Sequence, residues 1–136
     1  MLFAIYENQK VRATKDGPRK AICPCCNSDV QAKTGSINRH HWAHTNLSDC
    51  PMNSNDMTQW HIDQQNQFHD YELEIRDPKW PNNVADVRIL NPTPDLDYLV
   101  VEVQHSPISY ETVSDRHAAY KNLIWIIDMD KRKRLP

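Results

Sequence analysis

The chain has 136 residues, a length that fits one ordinary domain or a small domain with a metal-stabilised appendage. With 39% hydrophobic and 25% charged residues it has a soluble, globular composition, and no hydrophobic run approaches the roughly 18 residues of a membrane span. The N-terminus lacks a cationic start and a long apolar segment, so no signal peptide is predicted and a cytoplasmic location is expected.

The net charge of −2 conceals a strong asymmetry along the chain. Residues 1–53 carry 7 Lys/Arg against 4 Asp/Glu, residues 54–130 carry 5 against 14, and residues 131–136 add four cations. We therefore divide the chain into a basic N-terminal region, an acidic second region and a basic tail, with those boundaries. The only two glycines, Gly17 and Gly35, exclude a glycine-rich phosphate-binding loop.

A short strand is predicted at "LFAIY" (residues 2–6), and a segment dense in cysteine and histidine follows over residues 21–50. Cys23 and Cys26 form a C-x-x-C pair, the spacing of a zinc knuckle. In a reducing compartment such cysteines are metal ligands or free thiols rather than disulfides. We predict a closed, structural zinc site with four ligands: Cys23, Cys26, His44 and Cys50.

Other assignments of this segment stay open. His41 is the chief alternative to His44, His40 is a weaker one, and Cys25 could take a knuckle position. The cysteines could also be unmetallated, with the histidines packed into a small core. A zinc site would supply folding free energy to a segment that is too polar to build its own core.

The second region is predicted to contain a helix, three strands, a helix and a strand. Residues 55–69 show one apolar helical face, and Ser109 can cap a helix that runs to about Lys121. The strands are expected at residues 71–76, 84–90, 97–104 and 122–128, with the last one buried. Proline-bearing turns separate the first three strands at Pro78, Pro81, Pro92 and Pro94. This order describes an α/β fold with a mixed sheet.

Two of the predicted strands contain a carboxylate in an apolar run. Asp86 lies within "VADVRIL", and Glu102 within "LVVEVQ", where Gln104 shares its face. An edge strand with a solvated face would explain these residues without any function. The alternative is that both carboxylates hold one divalent cation, and oxygen ligands suit Mg²⁺ or Mn²⁺. Such an ion can activate water and neutralise charge on a phosphodiester.

With these segments in view, the chain resembles the competence protein CoiA family and its small nuclease-like relatives. The resemblance covers about residues 20–128 and rests on the following segments in order: "CPCC", "HHWAH", "TQWHIDQQ", "VADV", "VEVQHSPIS", "DRHAAY" and "LIWIID". It implies a zinc-bearing, β-rich N-terminal region followed by a restriction-endonuclease-like core of the PD-(D/E)xK type. Regions 1–53 and 54–130 would be these two parts.

The resemblance also implies roles for individual residues. Asp86 and Glu102 would hold the catalytic metal, and Gln104 would stand at the usual lysine position. Ser106 and Arg116 would line the substrate site, and His61 would face it from the first core helix. The expected activity is metal-dependent hydrolysis of DNA, single-stranded or branched, with the zinc knuckle and the basic tail holding backbone phosphates.

Two departures from the family pattern favour a second hypothesis. Gln59 stands where the family helix has glutamate, and Gln65 stands where lysine is expected. A neutral amide neither cancels cation charge nor acts as a base. The alternative is thus a catalytically weakened or inactive nuclease-fold protein that binds nucleic acid or a protein partner, such as a phage or mobile-element accessory factor or inhibitor. Nothing in the sequence decides between a monomer and a homodimer.

Overall fold

The computed structural model describes residues 1–36, 39–46, 49–50, 52 and 57–130. The chain divides into two compact units, Met1–Met57 and Thr58–Pro136. The basic tail predicted at residues 131–136 lies outside the described residues. In the part of the chain that is described, no helix combines the length and the apolar character needed to cross a membrane.

The N-terminal unit is a five-stranded antiparallel sheet. Its strands, in the spatial order β2-β1-β3-β4-β5, are β1 (Phe3–Tyr6), β2 (Gln9–Arg12), β3 (Lys20–Ile22), β4 (Asp29–Lys33) and β5 (His41–His44). The β1–β2 hairpin turns through Glu7 and Asn8, which both have positive φ, as a tight hairpin turn of two residues requires. The Trp42 indole is fully buried and donates a hydrogen bond to the Val11 carbonyl. The predicted strand at residues 2–6 is thus present as β1.

The C-terminal unit is a four-stranded mixed sheet with two α-helices. In chain order it consists of α1 (Gln59–Gln65), a 3₁₀ turn (Asp70–Glu72), β6 (Leu73–Arg76), β7 (Val84–Thr93), β8 (Leu96–Gln104), α2 (Tyr110–Ala119) and β9 (Leu123–Ile127). The sheet order is β6-β7-β8-β9, and only the β8–β9 pair is parallel because α2 makes the crossover between them. The predicted α/β class with a mixed sheet is confirmed.

Both helices begin at side-chain caps. The Thr58 hydroxyl accepts a hydrogen bond from the His61 amide at the start of α1, and the Ser109 hydroxyl accepts one from the Thr112 amide at the start of α2. The expected cap at Ser109 is confirmed. The α1 helix is shorter than predicted at its C-terminal end, because the chain turns after Gln65, with the Gln67 amide donating to the Gln64 carbonyl.

Two further sequence expectations are wrong. Strand β9 is not buried: it lies at the edge of the sheet, and Ile124 is 50% exposed because β9 pairs with β8 alone. Pro92 was expected in a turn but lies within β7, where the β7–β8 register shifts between Leu90 and Thr93. Such an irregularity accommodates a residue that has no amide hydrogen to donate.

One core cluster of the C-terminal unit lies beneath the end of α2. Trp80, Ala85, Val100 and Tyr120 are all buried there. The rings of Trp80 and Tyr120 meet edge to face with centroids 4.7 Å apart, a favoured aromatic geometry. This contact fixes the C-terminal end of α2, and therefore the position of Arg116 one turn earlier on that helix.

Candidate functional site

The N-terminal unit brings four predicted zinc ligands together. One ligand atom from each of Cys23, Cys26, His44 and Cys50 lies within 4.8 Å of all the others. The Cys23 and Cys50 sulfurs are 3.8 Å apart, and the Cys26 sulfur is 3.3 Å from Nε2 of His44. Three thiols and one imidazole form the Cys₃His donor set of structural zinc sites. This group can hold a metal ion.

A tight turn between β3 and β4 positions the two knuckle cysteines. The Cys23 amide donates to the Ser28 carbonyl, and the Asn27 amide donates back to the Cys23 carbonyl. Asn27 has a φ of 59°, a left-handed conformation that asparagine tolerates better than most residues. His44 enters from β5, opposite Val30 of β4, so the sheet register sets its distance from the turn.

The alternative ligands lie elsewhere. His41 is three residues before His44 on β5 and therefore on the other face of the strand, and its Nδ1 lies 2.7 Å from the Arg39 carbonyl oxygen. Cys25 contributes its backbone amide, which donates to the Cys23 sulfur, and its thiol is not part of the four-residue group. His44 is thus the histidine that completes the group.

The electrostatics of the thiols fit a metal site. Burial raises the pKa of Cys23 and of Cys50 to about 11, so both thiols are protonated at neutral pH unless a cation compensates the thiolate charge. A hydrogen bond from the Ser28 side chain contributes most to lowering the pKa of Cys26, to about 6. In addition, Nδ1 of His44 is buried without a hydrogen-bond partner among the described residues, while its Nε2 faces the Cys26 sulfur.

A second group of polar side chains lies in the C-terminal unit, where β7 and β8 run side by side. Val87 of β7 pairs with Val101 of β8, and Asp86 and Glu102 are the next residues along the two antiparallel strands. The Val103 amide donates a hydrogen bond of 2.8 Å to Oδ2 of Asp86. The other Asp86 oxygen lies 3.6 Å from Nε2 of His61 on α1. Asp86 is therefore held between β8 and α1.

Glu102 is the electrostatic anomaly of this group. Its side chain is 7% exposed, and its Oε1 atom is buried with no hydrogen-bond partner among the described residues. Burial, followed by repulsion from Asp86, raises the pKa of Glu102 to about 8, even though the Arg116 cation acts in the opposite direction. A carboxylate in such a place needs a proton or a further cation.

Arg116 reaches this group from α2. Its Nη1 atom lies 3.8 Å from Oε2 of Glu102 and donates a hydrogen bond of 3.3 Å to the Tyr120 hydroxyl. Tyr120 is fully buried, and burial raises the pKa of its phenol, so the hydroxyl is neutral at physiological pH. Arg116 therefore faces the Glu102 carboxylate, and its role in lining a substrate site stays a prediction.

Gln104 and Ser106 form a local pair at the end of β8. The Gln104 amide nitrogen donates to the Ser106 carbonyl at 2.8 Å and contacts the Ser106 hydroxyl at 3.0 Å. Gln104 is two residues beyond Glu102 on the same strand, and both side chains lie on the same face of β8. The two predicted site residues are thus joined to each other on the carboxylate side of the sheet.

The two glutamines of α1 differ in their surroundings. Gln59 is exposed and its amide donates to Asp63, one turn later, on a side of α1 about 160° away from His61. Gln65 is fully buried, and its amide donates to the Asp86 backbone carbonyl at 3.2 Å while its own Oε1 has no partner among the described residues. The group at Asp86 thus includes Gln65, which the sequence marked only as a departure from the family pattern.

Sequence reasoning also missed Tyr120 as a member of this site. The signal was present, because Tyr120 is four residues after Arg116 and side chains at that spacing are neighbours on a helix. Its burial against Trp80 could not be read from that spacing, since Trp80 comes from a loop forty residues earlier.

The comparisons with known proteins bear on the N-terminal region. No curated protein and no solved structure matches the chain significantly. Residues 5–53 match the family model described as "Competence protein CoiA, N-terminal domain", and this match includes all four residues of the Cys₃His group. The expected resemblance is therefore confirmed for this region: residues 5–53 are similar to the N-terminal domain of the competence protein CoiA family.

Proposed function

We propose that this protein is a divalent-metal-dependent nuclease of the CoiA-like type, which hydrolyses phosphodiester bonds in single-stranded or branched DNA. The observation that carries the proposal is the convergence of Asp86 and Glu102 from neighbouring strands, with one Glu102 oxygen buried and unsatisfied. Two carboxylates that extend from neighbouring strands provide the oxygen ligands that Mg²⁺ and Mn²⁺ accept. The restriction-endonuclease-like character of the core is part of this proposal.

Each residue around the carboxylates has a role in the proposed reaction. A bound Mg²⁺ or Mn²⁺ would supply neutralisation of phosphate charge and a water of lowered pKa. When substrate binds, Arg116 would release Glu102 and orient the phosphate, because a guanidinium donates hydrogen bonds to phosphate oxygens. His61 would hold or accept a proton beside Asp86, and Gln104 with Ser106 would orient the attacking water through amide and hydroxyl groups.

The N-terminal region supports the same proposal in a structural role. A zinc ion held by Cys23, Cys26, His44 and Cys50 would have no open ligand position, so it would stabilise the fold without taking part in hydrolysis. The family model matched by residues 5–53 is named for competence proteins, and a role in competence, acting on incoming DNA in the cytoplasm, is accordingly the biological setting that we propose.

Cleavage of a labelled DNA panel tests this function. Single-stranded, duplex and branched substrates are incubated with Mg²⁺ or Mn²⁺ and either the wild-type protein or Asp86→Ala. We expect cutting by the wild type that drops at least about 100-fold in the variant, because an ion held by one carboxylate is bound weakly and placed poorly. Glu111→Ala, which removes an exposed carboxylate at the start of α2, is the matched control and should cut like the wild type.

A second candidate function is a non-catalytic binding protein on the same fold. The observation that favours it is the Arg116–Glu102 ion pair, since a guanidinium already supplies positive charge where a catalytic ion would lie. Gln65 adds to it, because an amide beside Asp86 cannot serve as the lysine of an active nuclease. In that case the protein would bind nucleic acid or a protein partner, and wild type and Asp86→Ala would both fail to cut any substrate.

A further inference from the structure

The two faces of the N-terminal sheet differ sharply in character. Because residues paired across antiparallel strands share a face, the strand register assigns every strand residue to one side or the other. One side holds the buried core of the unit, with Ala4, Val30 and Trp42 all fully inaccessible to solvent. The other side contains Phe3, Ile5 and Ile22 and the strand residues paired with them, and we call it the cationic face.

The cationic face collects most of the positive charge of this region. It carries four of the seven Lys/Arg residues of positions 1–53, from three different strands: Lys10, Arg12, Lys20 and Lys33. Asp29 is the one acidic side chain among the strand residues of this face. His41 lies on it too, paired with Lys33. Burial is the main cause that lowers the pKa of His41, and the positive charges of Lys33 and Arg39 add to it.

The register arranges these cations along a diagonal. Arg12 pairs with Phe3, Lys10 pairs with Ile5, and Ile5 in turn pairs with Ile22. Lys20 is two residues before Ile22 on β3 and pairs with Gln31 of β4. Lys33 is two residues beyond Gln31 in the same direction. With strands about 4.8 Å apart and a rise of about 3.4 Å per residue, the stripe from Arg12 to Lys33 is about 25 Å long. Asp29 lies to one side of it.

Local contacts fix one end of the stripe. The Lys10 ammonium lies 4.4 Å and the Arg12 guanidinium 4.9 Å from the centre of the Phe3 ring. These cation–π contacts cover the ring, which is only 4% exposed, and hold both charges on the face. Beside the stripe the apolar side chain of Ile22 is 38% exposed. The face therefore offers a row of cations next to apolar surface.

From this arrangement we propose that the cationic face of the N-terminal unit binds the sugar–phosphate backbone of single-stranded DNA. A row of cations tracks a chain of phosphates without reading sequence, and the apolar surface beside it accepts unpaired bases. A duplex would present its bases stacked and paired, so that Ile22 would gain no base contact. The inference rests on DNA as the substrate of the proposed function, but it does not require that the protein cuts DNA.

Binding of a fluorescent single strand, measured by anisotropy over a range of salt, tests the inference. The full-length, zinc-loaded Asp86→Ala protein is used without added Mg²⁺ or Mn²⁺, so that cleavage does not enter. Lys20→Gln/Lys33→Gln removes two cations of the stripe, and Lys15→Gln is the control because Lys15 is an exposed lysine in the β2–β3 loop of the same unit. Zinc content and thermal unfolding confirm that each variant is folded, and single substitutions replace the double variant if it is not.

The expected result is specific to the stripe. In the double variant the slope of log K against log salt should fall by about 1.4, and affinity by about 20-fold near 0.1 M salt, because each contact to a single strand contributes about 0.7 to the slope. Lys15→Gln should change affinity less than about two-fold. Equal losses in both variants, or tighter binding of duplex than of single strand, would overturn the inference. Wild-type protein that binds single strands through this face but never cuts would overturn only the nuclease function.

Discussion

The guanidinium of Arg116, on the crossover helix α2, lies 3.8 Å from the carboxylate of Glu102 on strand β8. At this separation the cation offsets only part of the cost of burying Glu102, whose pKa is still raised to about 8 by desolvation and by Asp86. The site therefore contains one positive and two potentially negative groups, with a buried oxygen left over. We therefore predict that a divalent cation completes the site.

The raised pKa of Glu102 predicts a pH dependence of stability in the absence of Mg²⁺ and Mn²⁺. The folded protein binds this proton more tightly than the unfolded chain, whose ordinary pKa is 4.5. The free energy of unfolding should therefore fall as pH rises from about 4.5 to about 8, and level off above that. Glu102→Gln cannot titrate, so its curve should lack this fall.

Urea denaturation of the two zinc-loaded proteins across this pH range provides the measurement. The difference between wild type and variant is the informative quantity, because the pH dependence of zinc binding is common to both and cancels. If the two proteins show parallel curves, Glu102 is not protonated on folding and the description of the site is wrong.

The zinc site predicts which residues control metal content. Cys50→Ser and His44→Gln should each lower zinc affinity at least about ten-fold and destabilise the N-terminal unit, since the metal supplies much of its folding free energy. Native mass spectrometry and thermal unfolding, with and without a chelator, measure both effects. Cys25→Ser and His41→Gln are the matched controls, because neither side chain belongs to the group. Normal zinc content in His44→Gln, with loss in His41→Gln, would reverse the ligand assignment.

Two substitutions of Tyr120 should separate the contribution of its ring packing to stability from that of its hydrogen bond. Tyr120→Phe keeps the edge-to-face contact with Trp80 but removes the hydroxyl that accepts from Arg116, so it should cost about 1 kcal/mol of stability. Tyr120→Ala also leaves a cavity and should cost about 3–5 kcal/mol. Chemical denaturation measures both values. Equal costs for the two substitutions would mean that the ring does not contribute the packing described.

Replacement of each glutamine of α1 by glutamate should change the response of the unfolding temperature to Mn²⁺ at Gln65 but not at Gln59. Gln65→Glu places a buried carboxylate next to Asp86, so it should lower stability without a divalent cation and make the unfolding temperature rise on addition of Mn²⁺. Gln59→Glu places the same charge on the exposed side of α1, where Mn²⁺ should have no additional effect over the wild type. Differential scanning fluorimetry with and without Mn²⁺ distinguishes them. A Mn²⁺ response in Gln59→Glu but not in Gln65→Glu would contradict the placement.

Features with a local cause could be predicted from the sequence. Ser109 caps α2 through its own neighbour Thr112, and the C-x-x-C spacing builds a turn from residues 23 to 28 alone. The alternation of side chains put Glu102 and Gln104 on one face without knowledge of the sheet. These interactions span only a few residues, so a short stretch of sequence contains all of the information.

Features that depend on distant parts of the chain could not be predicted from the sequence. Strand β9 has a strongly apolar sequence but lies at a sheet edge, because edge or centre is decided by which strands pair and not by composition. The burial of Gln65 depends on the Asp86 carbonyl, 21 residues later, and that of Tyr120 on Trp80. The sequence predicted His44 as the zinc ligand but kept His41 as the chief alternative, and the register of β5 on β4 decides between them.

Binding of Mn²⁺ to the zinc-loaded protein, measured by titration calorimetry and electron paramagnetic resonance, tests whether Asp86 and Glu102 hold a divalent cation. Wild type is compared with Asp86→Asn and Glu102→Gln, and with Glu111→Gln as the control for loss of an exposed carboxylate. We expect one Mn²⁺ site, which both site variants weaken at least about ten-fold and the control leaves intact. No binding to the wild type, or equal binding to all four proteins, would contradict this and leave Glu102 with the Arg116 ion pair in place of a metal.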